Sequence, residues 1–98
     1  MPILDSKIDT RSEQFQQNRS DMMKMLSLLD DLLEEASEGG GAEAIARLRS
    51  RDKMPIRERI SHALDRDSPF LEISPLAAWR SPFAIGSGFV VGVGVIEN

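Results

Sequence analysis

The sequence predicts an α+β fold: helices over residues 10–65, then a strand-rich stretch over 69–98. Three observations predict it. Apolar residues recur at helical spacing from Phe15 to Ala36, a Pro-started amphipathic stretch runs from Pro55 to Leu64, and β-branched residues dominate Phe89–Ile96. At 98 residues the chain is one domain at most. A domain of this size buries roughly two-thirds of the surface that its unfolded chain exposes, so its core is modest.

Residues 1–9 read as an extended arm. Thr10 and Glu13 have capping-box spacing, which predicts a helix start there. Phe15, Met22, Leu26, Leu29, Leu33 and Ala36 then form one stripe, joined by Met25 and Leu32. The run Gly39-Gly40-Gly41 ends that helix, because three glycines lose too much backbone entropy to stay helical. Ala44, Ile45 and Leu48 give a short second helix one narrow apolar face. Pro55 suits the first position of a third, where its missing N–H leaves nothing unpaired. Ile56, Ile60, Ala63 and Leu64 then lie at i, i+4, i+7 and i+8, and the helix ends near 65–68, before Pro69.

Phe70-Leu71-Glu72-Ile73 reads as a short strand, residues 75–82 as irregular and Gly86-Ser87-Gly88 as a turn. Phe89–Ile96 is the strongest strand signal. One of its faces carries Phe89, Val91, Val93 and Val95; the other carries Val90, Gly92, Gly94 and Ile96. Two glycines on one face predict close approach of another group. A strong strand with no strand after it suggests that the sequence has been cut short, since two strands alone make a poor sheet.

Composition excludes several chemistries. The chain has no cysteine, hence no disulfide, thiolate nucleophile or zinc–thiolate site; this fits a reducing, cytoplasmic setting. Net charge is −4, which argues against nucleic-acid binding. The longest apolar run is too short to cross a bilayer, and no signal peptide is visible. His62 is the only histidine, and its neighbour Ser61 points away from it on a helix, so neither a catalytic triad nor a metal site is expected. Neither G-x-G-x-x-G nor a phosphate-binding P-loop motif occurs. The methionines Met22, Met23 and Met25 read as helix-packing residues.

Charge is polarised along the chain. Residues 30–43 hold six acids and no base, while residues 47–59 hold six bases against Asp52 and Glu58. Arg51 and Lys53 precede the Pro55 helix start; Arg57 and Arg59 follow it. Cationic side chains beside the free N–H groups of a helix start favour phosphate, which makes these four residues the candidate binding site. The plainer alternative is that they pair with the acidic first helix or are solvated.

Several motifs, in order and in spacing, resemble the N-terminal region of the carboxyltransferase (beta) subunit of biotin-dependent acyl-CoA carboxylases. Thr10-Arg11-Ser12-Glu13-Gln14-Phe15 with Asn18 resembles that family's P-R-S-x-x-[FY]-x-x-N. Gly39-Gly40-Gly41, Arg47, Arg51 and Arg57-Glu58-Arg59-Ile60 follow its GGG, R-G-K-L and R-E-R-I segments. Ser68-Pro69-Phe70-Leu71-Glu72 and Ser74-Pro75-Leu76-Ala77-Ala78 follow SPFLELSPLAAY, with Trp79 for Tyr. The ending from Ile85 to Gly94 is similar to its I-x-x-G-x-V-x-G-I-G. Two positions depart: Leu48 stands for the usual His, and Asp52 for the usual Gly of R-G-K. Asp is among the less costly replacements where φ is positive, though its charge weakens an anion site.

The resemblance implies the start of a crotonase-like α/β domain in a homo-oligomeric subunit. It implies transfer of a carboxyl group from carboxybiotin, carried by a biotin carboxylase/biotin carrier partner, to an acyl-CoA. Backbone N–H groups hold the thioester enolate in that family, on segments downstream of Asn98. No catalytic residue is therefore carried onto this sequence, and Arg51, Lys53, Arg57 and Arg59 stand as CoA-phosphate contacts on their charge and the helix start beside them. The alternative reading is a non-catalytic helical interaction module using the Met/Leu stripe and the edge of the last strand.

Overall fold

A computed structural model of the chain describes residues 1–97. Three helices, α1 (Glu13–Ser37), α2 (Ala42–Ser50) and α3 (Ile56–Ala63), precede two strands, β1 (Phe70–Ile73) and β2 (Val91–Gly94). The chain divides into two units, residues 1–30 and 31–98, with the boundary inside α1.

In the first unit, residues 1–9 carry no regular secondary structure. The N-cap of α1 is Ser12, two residues later than the Thr10 spacing predicts. Asp9 explains the shift. Its carboxylate accepts the Arg11 N–H at 3.0 Å and its carbonyl accepts the Ser12 N–H at 3.2 Å, so the chain turns before it can wind. Ser12 Oγ then accepts the Phe15 N–H at 3.1 Å. Ser12→Ala should therefore lower helicity and cost about 1 kcal/mol, while Thr10→Ala should leave both unchanged; far-ultraviolet dichroism through a thermal melt checks this. Gln14–Asn18 and Gln17–Asp21 hydrogen bonds at i,i+4 support the same turns.

In the second unit, α1 ends at Ser37, and Gly39, Gly40 and Gly41 all take positive φ (62°, 93° and 93°). The glycine run thus does what the sequence predicts. Helix α2 closes in a Schellman motif. The Lys53 N–H donates to Leu48 O at 3.0 Å and the Asp52 N–H to Arg49 O at 3.0 Å, with Asp52 at φ 58°. Asp52 therefore occupies the left-handed position that glycine usually fills. Helix α3 begins one residue after Pro55, which is its N-cap rather than its first helical residue. The Pro55 carbonyl accepts the Arg59 N–H at 3.1 Å.

The strands pair antiparallel in the register Phe70↔Gly94, Leu71↔Val93, Glu72↔Gly92 and Ile73↔Val91. The second strand is shorter than the eight residues the sequence predicts. Its partner sets the limit: Ser74 takes φ 52° and ends β1, while beyond Gly94 the Val95 carbonyl accepts the Asp65 N–H instead of a ladder bond. Directly opposed residues share a face. One face holds Phe70, Glu72, Gly92 and Gly94; the other holds Leu71, Ile73, Val91 and Val93. On the first face the Phe70 ring lies where a β-carbon of Gly92 would stand, and Leu64 lies where that of Gly94 would. The close approach predicted for the two glycines is present.

Ala36 and Ile85 are the buried hydrophobic residues of this unit. Gly86, at φ 71°, lies so close to the Ala36 carbonyl that a β-carbon would overlap it, and Gly40 faces Ser87. The two glycine-rich segments, far apart in sequence, meet here.

Candidate functional site

The basic cluster is built by the α2–α3 connection. The Schellman turn ends α2, and the proline N-cap starts α3 with no side-chain cap on its first N–H groups. Those amides and the flanking cations border a groove of about 520 Å³. Lys53, Arg57 and Arg59 line it, together with Arg49 and the Ser87-Gly88 segment. Arg51 lies outside the lining. The fold thus gathers three of the four predicted residues around one concavity.

Their pairing differs. Arg57 is held by Glu72 of β1 in a bidentate ion pair: Nη2 donates to Oε1 at 2.6 Å and Nη1 to Oε2 at 3.0 Å. Both side chains are largely buried, at 28% and 23% exposure. Both terminal nitrogens of Arg57 are therefore engaged internally, and its Nε is buried with no hydrogen-bond partner among the described residues. Such a fork fixes α3 against β1 more than it offers charge to a ligand. Arg51, Lys53 and Arg59 are exposed and form no ion pair among the described residues. No ion pair joins the α1 acids Asp31, Glu34, Glu35 or Glu38 to this cluster among those residues either. Arg49, outside the four predicted residues, lines the groove but donates to Glu58 at 2.9 Å. Its signal was its place in the same basic run; only the fold shows that it is paired.

Among the described residues no group of acidic or histidine side chains could hold a metal, and His62 is exposed on α3. Among the described residues no helix is long and apolar enough to cross a membrane.

No family model matches the sequence. Individual proteins do. The mitochondrial methylcrotonoyl-CoA carboxylase beta chain of Arabidopsis thaliana is 41% identical over 99 residues, covering 98% of this chain and 17% of its own length. A biotin-dependent 3-methylcrotonyl-coenzyme A carboxylase beta1 subunit of Mycobacterium tuberculosis is 40% identical over 80 residues, covering 76% of this chain and 15% of its own length. The solved beta subunit of Pseudomonas aeruginosa geranyl-CoA carboxylase superposes with a TM-score of 0.76 at 32% identity, over 97% of this chain and 18% of that one. The chain spans less than a fifth of the relatives it matches. Across nearly its full length, this chain is homologous to a segment of the beta subunits of biotin-dependent acyl-CoA carboxylases.

Proposed function

We propose that the chain functions as the N-terminal portion of a carboxyltransferase subunit, within a crotonase-like domain. That subunit transfers a carboxyl group from carboxybiotin, presented by a biotin carboxylase/biotin carrier partner, to an acyl-CoA. The observation that carries this reading is a match spanning 97% of the chain in both sequence and fold. In this reading the 98 residues supply scaffold and anion contact, while the catalytic amides belong to other segments of a homo-oligomeric subunit. A cysteine-free chain fits a reducing compartment such as the cytoplasm.

Within this function Lys53 and Arg59, which form no ion pair among the described residues, contact the phosphates of CoA beside the α3 amides that lack a side-chain cap, with Arg51 at the margin. Arg57 stays in its pair with Glu72 and orients α3. The Lys53→Glu substitution should weaken CoA binding about tenfold, and Asp52→Gly, which removes the charge between Arg51 and Lys53, should tighten it about threefold. Both effects should shrink as salt rises. Calorimetric titration of CoA checks them; affinity indifferent to both substitutions would sink the phosphate assignment.

A further inference from the structure

The first unit, residues 1–30, contains no buried residue. Its part of α1 nevertheless carries an ordered apolar row. Phe15, Met22, Leu26 and Leu29 follow one another at spacings of seven, four and three, and Arg19 fills the place between Phe15 and Met22. This alternation of three and four lays one helix along another. Met22, Met25, Leu26 and Leu29 stay 40–67% exposed. Charge specifies what covers the row. Arg19 interrupts it and Asp30 borders its far end, and neither forms an ion pair among the described residues. Eleven residues apart on one helix, the two stand about 16 Å from each other along the axis and cannot meet.

We propose that α1 pairs with the α1 of a second copy of this chain, antiparallel, about a two-fold axis between Lys24 and Met25. The two-fold brings Arg19 of each helix to Asp30 of the other, so one self-complementary contact pairs these opposite charges twice. In that register Met22 packs on Leu26 of the second copy. A parallel pair instead sets Asp30, Asp31, Glu34 and Glu35 against their own copies, which repel. One charged residue in an otherwise apolar seam fixes register and orientation at a cost in stability, and the flexible methionines fill the space around it. This pairing is independent of the CoA contact and of the carboxyltransferase reading.

Sedimentation equilibrium of the 98-residue chain, from about 1 to about 100 µM, provides the test. A species of twice the 10.9 kDa chain mass should form. Arg19→Glu and Asp30→Arg should each raise its dissociation constant about tenfold. The Arg19→Glu/Asp30→Arg chain, in which the pair is reversed, should return to within about threefold of the original. Glutamate and arginine are strong helix formers, so neither single change weakens the helix itself. The two changes move net charge in opposite directions, so a shared loss cannot come from net charge. The chain has no cysteine, which lets Leu29→Cys report orientation. Its two copies lie about 13 Å apart along the axis of the antiparallel pair, beyond disulfide reach. A monomer at every concentration, a dimer indifferent to both charge reversals, no recovery in the doubly reversed chain, or a disulfide between two Leu29→Cys copies overturns the proposal.

Discussion

Gly86→Ala should destabilise the fold by about 3 kcal/mol, the sum of a left-handed backbone penalty and an overpacking penalty. Gly86 sits at φ 71°, where an L side chain strains the backbone, and its β-carbon would overlap the Ala36 carbonyl. Backbone cannot rotate aside as a side chain can, so either α1 or the 85–88 turn must move. Ala36 and Ile85, the buried pair of this unit, flank the contact. Gly88→Ala is the control: nothing lies within 4 Å of its would-be β-carbon, and its cost should stay within about 0.5 kcal/mol. Urea unfolding followed through Trp79, the single tryptophan, reads both. The Gly86 variant should lose more than about 1 M in midpoint. Equal losses at the two glycines would contradict the assigned contact.

Removing either partner of the Arg57–Glu72 fork should cost about 2 kcal/mol, below the range for a fully buried pair because both side chains retain some solvent. The bare partner would keep most of its desolvation penalty without its two charge-assisted bonds. The Arg57→Ala/Glu72→Ala double variant should therefore be less destabilised than the two singles added together. Arg49→Ala, which breaks the more exposed pair with Glu58 (58% and 36% exposure), should cost less than about 1 kcal/mol. The same urea titration yields all four values, and simple additivity at Arg57 and Glu72 would remove the clamp. The experiment also separates roles, because Arg57→Ala should unfix α3 whereas the Lys53→Glu effect should appear in CoA affinity.

Local signals were read from the sequence where the physics is local. The glycine run stopping α1, the helix opened at Pro55, the strand 70–73 and the two-glycine face of β2 all follow from backbone freedom, proline geometry and side-chain period. The left-handed place of Asp52 was legible as a departure from the family's glycine, and the Schellman turn gives its reason. The helix caps at Ser12 rather than Thr10 because Asp9 supplies a competing turn that capping-box spacing does not encode. The strand signal over 89–96 exceeds β2 because the ladder length belongs to the shorter partner.

The basic cluster divides along the same line. Its charge, and the helix start beside it, are sequence properties. Which cations remain available is not, since Glu72 lies fifteen residues from Arg57 and reaches it only through the tertiary fold. The order of the elements, their punctuation and the resemblance to carboxylase beta subunits are legible in the chain's local pattern. That Arg57 is clamped by Glu72, that Gly86 meets Ala36, and that Leu71, Ile73, Val91 and Val93 share one open face emerge only in three dimensions. Each of these depends on contacts between residues distant in the chain, which no local propensity encodes.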